Sequence, residues 1–239
     1  MQLGYMWARI FASTFIILAN GVLHSPDTSH WIYLDEVAQE YIKDMNTTYR
    51  GRIISWGINE SYTYWKTHPH TKKHAVKADV GSVQYSHCAG APSVQKIPAT
   101  DCSGVFSWHT AQGINCPVSL NTSTFVPVYY TGLDTRAVSF DVNGLEEEIA
   151  TLTWGHRTDT KGTLEYSAIC KFSVNISFYG YFVYDLYYRG QHLKWVPVSI
   201  TQLAEYSKRL SAEHGKLTYT AKGTFGEDIW CHEDSNKRT

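Results

Sequence analysis

Charged side chains are scarce. They make up 18% of the 239 residues, 21 basic against 22 acidic, for a formal net charge of −1. The two signs nearly balance over the chain, and no nucleic-acid partner is expected. No apolar run reaches the about 18 uninterrupted residues that a membrane-spanning helix needs. There is no C-x-x-C pair, which removes zinc-ribbon and thioredoxin readings. The G-x-S-x-G, H-E-x-x-H, Walker and dinucleotide fingerprints are missing too, so no enzyme class or cofactor announces itself. Glycine (17) and proline (7) are ordinary in number, which excludes collagen-like and low-complexity chains.

Aromatic and hydroxylic residues are abundant. There are 17 Tyr and 8 Trp, and Ser and Thr are frequent throughout. Such a chain favours pleated, half-buried surfaces. At the start, Arg9 precedes an apolar run from Ile10 to Leu18, broken only by Ser13 and Thr14, and Ala19-Asn20-Gly21 offers small residues for cleavage. Residues 1–21 therefore read as a secretory signal, with a mature chain from near Val22 exported through the endoplasmic reticulum and Golgi. Four N-x-Ser/Thr sequons, at Asn46, Asn59, Asn121 and Asn175, fit surface glycosylation in that route.

Cys88, Cys102, Cys116, Cys170 and Cys231 all follow the leader. An oxidising compartment favours two bridges and one spare thiol, either buried or paired to another chain, with the pairing open. The equal spacing of Cys88, Cys102 and Cys116 suggests a stapled loop region, not a metal site. All 11 His also lie after the leader, so acidification turns a near-neutral protein cationic.

The expected fold class is α+β: mainly antiparallel sheet with two packed amphipathic helices, disulfide-stapled, in one domain over 22–239. The first helix is expected at about 29–46, capped by Ser29 or Thr28. Its stripe is Leu34, Val37, Ala38, Tyr41, Ile42 and Met45. The second is expected at about 201–213, with Ile200, Leu203, Ala204, Ser207 and Leu210 on one face and Gly215 at its C′ position. Alternation marks strands around Val76–Val80, Val138–Val142, Lys171–Phe178 and Leu217–Ala221. Asn143-Gly144 reads as a hairpin turn. The apolar run from Phe178 to Tyr184 reads as core.

The segment 50–77 is basic and aromatic. Arg50, Arg52, Lys66, Lys72 and Lys73, with His68, His70 and His74, face one acid, Glu60. Tyr62, Tyr64 and Trp65 stand beside them in a polar, loop-like stretch. Cations attract acidic surfaces and aromatic faces stack on sugar rings, so these residues form the candidate surface-binding site. Three His within seven residues raise metal binding, but Pro69 and the two lysines oppose it and no metal or other cofactor is expected. Arg50 or Arg52, Ser123-Thr124-Phe125 and Glu146-x-Glu148 follow the order of motifs in mono-ADP-ribosyltransferase toxins, without the third hydroxyl. His109 or His156 beside an acid would serve a hydrolase. Lys208-Arg209 and Lys237-Arg238 are dibasic processing candidates.

The leader, the sequons, the odd handful of cysteines in central loops and the dibasic pairs Lys208-Arg209 and Lys237-Arg238 resemble the organisation of secreted yeast killer-toxin preproteins and their chromosomal relatives. The resemblance implies an α/β-sandwich or a β-pore-forming fold and carries over no catalytic residues. The expected function is a secreted, non-enzymatic toxin that binds cell-wall polysaccharide or glycoprotein and disturbs membrane lipid, with the strand 171–178 suited to a pore. The alternatives are a harmless carbohydrate-binding wall protein and a secreted enzyme, either a glycan hydrolase or a transferase toxin.

Overall fold

The computed structural model describes residues 30–48, 52–89, 101–127, 134–155 and 163–232, with backbone alone for 163–165 and 232. In chain order come β1 (Ile32–Tyr33), α1 (Leu34–Thr48), β2 (Arg52–Gly57) and α2 (Thr63–Thr67). Then follow β3 (Lys77–Val80), β4 (Gln84–Ala89), β5 (Asp101–Gln112), β6 (Ile114–Asn115), β7 (Asn121–Phe125), β8 (Ala137–Asp141) and β9 (Glu147–Trp154). The chain ends with β10 (Thr163–Tyr179), β11 (Tyr181–Tyr188), β12 (Gln191–Ser199), a 3-10 turn at Ile200–Tyr206, β13 (Ser211–Glu213) and β14 (Lys216–His232). The molecule is mainly β, and its helical content is smaller than expected.

Strict alternation builds the body. On β10, Tyr166, Ala168, Cys170, Phe172, Val174, Ile176 and Phe178 are buried, while Ser167, Lys171 and Asn175 are exposed. β14 matches it with Leu217, Tyr219, Ala221, Phe225 and Ile229 inside and Lys222 and Thr224 outside. Each strand has 17 residues, and at about 3.3 Å per residue each is roughly 55 Å long. They pair antiparallel at the centre of a seven-stranded sheet ordered β3-β10-β14-β5-β9, with β4 on β10 and β13 on β14. The two disulfides join neighbouring strands of this sheet: Cys88–Cys170 links β4 to β10, and Cys102–Cys231 links β5 to β14. Cys116 is the buried free thiol, and burial pushes its pKa up to about 11.

Among the described residues, β7 and β8 pair only with each other. Their hairpin lies against the inner face of the large sheet through side chains. Phe140 meets Trp108 at 5.2 Å between ring centroids, Thr122 Oγ1 donates to Gly81 O at 2.9 Å, and Thr124 Oγ1 donates to the Tyr85 hydroxyl at 3.3 Å.

A smaller sheet, β12-β11-β2, follows on from the large one. Gly180 marks the passage into it from β10. Its φ is +107°, and a Cβ there would stand 2.6 Å from Ala75 O, so only glycine makes this corner. The run Phe178–Tyr184 is core on both sides of the corner, as expected. One face of the small sheet packs on α1, with the Tyr41 ring edge-on to Phe182 at 5.2 Å. The expected stripe holds: Leu34, Ala38, Tyr41 and Ile42 are buried, and Val37 and Met45 pack beside them. The helix begins at Leu34, after the two residues of β1, and Ser29 and Thr28 lie outside the described residues.

The expected second helix over 201–213 does not form. Ser199 caps a single 3-10 segment that ends at Tyr206, and Ser207–Arg209 turn the chain. Ser211–Glu213 then pair with Lys216–Thr218 across a His214-Gly215 turn with positive φ at both positions. The residues that imitate a helical stripe are thus split between a 3-10 turn and a strand edge, and Gly215 serves a two-residue hairpin, not a helix cap. Asn143-Gly144 also differs, because β8 and β9 are not paired. Asn143 instead ties down another loop, with Cys116 N donating to its Oδ1 and its Nδ2 donating to Cys116 O, both at 2.8 Å.

Candidate functional site: an aromatic cap over a buried carboxylate

The second face of the small sheet carries the densest chemistry. β11 is the central strand, and its register sets Asp185 between Ser55 on β2 and Trp195 on β12. An acid at this point of an otherwise apolar strand is 4% exposed. His192 Nε2 lies 2.9 Å from Asp185 Oδ1. Burial raises the Asp185 pKa above the usual carboxylate range, and the His192 beside it pulls the other way.

The segment between β2 and β3 folds over this acid. The loop expected at Ser61–Trp65 is partly helical: Tyr62 is the extended residue before the short helix α2, which runs over Thr63–Thr67. The turn brings Tyr62 and Tyr64 each to 5.7 Å from the Trp195 ring. The Tyr62 hydroxyl bonds Ser55 Oγ at 2.8 Å, and burial raises its pKa, opposed by that hydrogen bond and reinforced by Asp185. Tyr64 is buried; Trp65 packs edge-on to it at 4.9 Å, and the His68 ring stacks on it at 4.4 Å. His192 touches both Trp195 and Tyr187. The result is an aromatic patch with imidazole edges at the rim and a carboxylate beneath. Ring faces stack on sugar C–H surfaces, while imidazole and hydroxyl edges exchange hydrogen bonds with sugar hydroxyls.

The expected binding set divides here. Tyr62, Tyr64, Trp65 and His68 enter the cap, and Lys66 lies exposed beside it. Arg52 is exposed on β2, in register with Tyr187. Lys73 lies over the Tyr181 ring at 4.7 Å. His74 bonds Ala75 O at 2.8 Å and packs on Tyr179, beside the Gly180 corner. His70 and Lys72 are exposed on the intervening turn, and Arg50 lies outside the described residues. The His of 68–74 thus do not converge, and among the described residues no cluster of three or more His, Cys, Asp or Glu is placed to hold a metal. Asp185, His192 and Trp195 are functional candidates that the sequence reading passed over. The usable signal was an acid inside Tyr181–Tyr188.

The remaining candidates stand apart from the cap. Asn46 Oδ1 accepts from Ile53 N, and Asn121 Nδ2 donates to Ser119 Oγ. Asn59 Nδ2 donates to Pro117 O at 3.2 Å, tying two loops, while Asn175 Oδ1 accepts from Thr220 on the exposed sheet face. Lys208 is exposed on the turn after the 3-10 segment, and Arg209 is half-buried with Nη2 donating to Trp31 O at 3.1 Å. Lys237, Arg238 and His156 lie outside the described residues. Arg52, Ser123 and Glu148 occupy three different sheets, so the transferase order of motifs does not become one site. His109 lies 3.4 Å from Glu147, both well exposed on neighbouring strands.

No protein-family model and no curated protein matches the chain. Solved structures with a similar course do exist. A non-toxic crystal protein from Bacillus thuringiensis aligns over 84% of this chain and 94% of its own at 10% identity, with a TM-score of 0.47. The Cry23Aa1–Cry37Aa1 binary complex aligns over 84% and 85% at 12% identity and a TM-score of 0.39. The Mpp75Aa1.1 β-pore-forming protein from Brevibacillus laterosporus aligns over 83% and 84% at 8% identity and a TM-score of 0.29. At these values they assign neither a family nor an activity.

Proposed function

We propose that the protein is a secreted, non-enzymatic toxin of the killer type. It binds polysaccharide or glycoprotein of a target cell's wall or surface through the aromatic cap, then disturbs membrane lipid with the β7–β8 hairpin. The observation that carries this reading is the attachment of that hairpin. Among the described residues, it lies on a covalently stapled sheet without joining its hydrogen-bond ladder. Along it, Asn121, Ser123 and Ser139 point outward with Phe125, which is 69% exposed, while Thr122, Thr124 and Phe140 point inward. A hydroxyl-rich strand pair of this kind suits the wet side of a barrel. Strand 171–178 suits the role less well, because β10 is paired on both edges and tied by Cys170.

The test uses dye-loaded vesicles and the purified mature chain, alone and with wall polysaccharide of target cells. Leakage that Phe125→Asp abolishes while polysaccharide binding survives supports the reading. Binding without leakage supports the second reading, a carbohydrate-binding wall protein, which the aromatic cap favours by itself.

A further inference from the structure

The inner face of β14 is apolar from end to end with one exception. Glu227 stands between Phe225 and Ile229 at 1% exposure. Its ladder neighbours are Ala168 on β10 and Phe106 on β5. Neither carboxylate oxygen has a hydrogen-bond partner. An unpaired carboxylate cannot stay ionised in such a place without a large desolvation cost, so it holds a proton instead. Burial, helped by the adjacent Asp228, raises its pKa to about 8.

The β7–β8 hairpin is anchored on either side of this acid along the sheet. At one end Phe140 packs on Trp108, whose ladder partner on β14 is Phe225. At the other end Trp154 Nε1 donates to Asp134 O, and the Arg136 guanidinium lies 5.7 Å from the Trp154 ring, in register with Cys102 and thence Cys231. The Phe106–Glu227 rung falls between these two rows. The other titratable or charged groups of the surrounding elements are Tyr166 on β10, Glu148 on β9, Tyr85 on β4, which packs on Phe225 at 4.9 Å and accepts from Trp108 Nε1, and Asp134 and Arg136 at the hairpin end, with Asp228 on the opposite face of β14. β5 presents Phe106 beside the acid, with Gly104 and Trp108 two residues to either side, none of them ionisable. None of these groups is hydrogen-bonded to Glu227.

We propose that Glu227 is a protonation latch under the β7–β8 hairpin. Protonated, it lets the hairpin close on a dry sheet face. Ionised, it draws water to that face and favours the lifted hairpin. The inference rests on the hairpin being the detachable element of the proposed function. Its sign follows from the raised pKa. The closed form holds the proton more tightly than the open form, so closure is fully favoured in acid. It weakens as the pH rises from the ordinary Glu value of about 4.5 and reaches its weakest above about 8.

Hydrogen exchange read by mass spectrometry on peptides covering 121–125 and 137–141, at pH 5, 7 and 9 and corrected for intrinsic exchange, tests the latch without a membrane. Hairpin protection is expected to fall by about tenfold or more from pH 5 to pH 9 while β10 and β14 stay protected. The Glu227→Gln variant is expected to flatten the profile. A flat profile in the wild type, or an unchanged slope in Glu227→Gln, overturns the proposal. Should Glu227→Gln not fold, the wild-type profile decides alone. Because vesicle leakage is scored separately, a toxin without a latch and a latch without toxicity give different results.

Discussion

At the scale of single residues, four positions do what their neighbours in sequence do not announce. Trp195 offers a half-buried ring to two tyrosines from a distant turn. Trp195→Ala is therefore expected to keep the fold and weaken polysaccharide binding about tenfold, measured by affinity electrophoresis or calorimetry. Gly180 holds a corner that no other residue makes. Gly180→Ala is expected to cost about 2 kcal/mol or more in denaturant unfolding, because it forces both the positive φ and the clash with Ala75 O. Cys116 is buried with its pKa at about 11. Alkylating reagents at neutral pH should leave it untouched in the native protein and label one thiol per chain after unfolding. Asp185 was hard to read from sequence for a physical reason: its meaning comes from Ser55 across one ladder and His192 and Trp195 across another, and no local spacing encodes those partners.

Elements differ in how far local pattern decides them. β10 and β14 were legible in part, over 171–178 and 217–221, because a period of two fits a strand with one buried face; their extension to 17 residues each was not read. The stripe of α1 was legible for the matching reason at a period of 3.6. The stretch 200–213 was not, since Leu203, Ala204 and Leu210 satisfy a helical stripe and also satisfy a 3-10 turn followed by a strand edge. Pairing of Ser211–Glu213 with β14 decides between them. The short helix α2 likewise forms where Tyr64 can bury itself, a tertiary reward that composition does not show. The β7–β8 hairpin depends on Phe140 for its hold on Trp108. Phe140→Ala is expected to cost about 3 kcal/mol and to loosen exchange in both hairpin strands before the large sheet opens.

Over the whole molecule, charge and pH act in two directions. The chain carries 11 His beside 21 basic and 22 acidic residues, so its formal charge balance moves toward positive on acidification, which favours adsorption to acidic surfaces. In the proposed latch, closure over Glu227 weakens from about pH 4.5 upward and is weakest above about 8, so rising pH favours an open hairpin. Adsorption to an acidic wall polysaccharide is therefore expected to rise between pH 7 and pH 5 and to fall with added salt, as read by a pull-down at two ionic strengths. Hairpin opening is expected to run the other way.

The two bridges also interlock along the chain, for the span closed by Cys88 and Cys170 contains Cys102, and the span closed by Cys102 and Cys231 contains Cys170. A single cut anywhere from Cys88 to Cys231 is thereby crossed by at least one bridge, and a cut at Lys208-Arg209 is crossed by Cys102–Cys231. Cleavage there would yield a two-chain molecule that migrates as one species until a reducing agent is added. Severed ends would gain local freedom without either fragment being lost, so a proteolytic scar on this protein is compatible with an undivided particle.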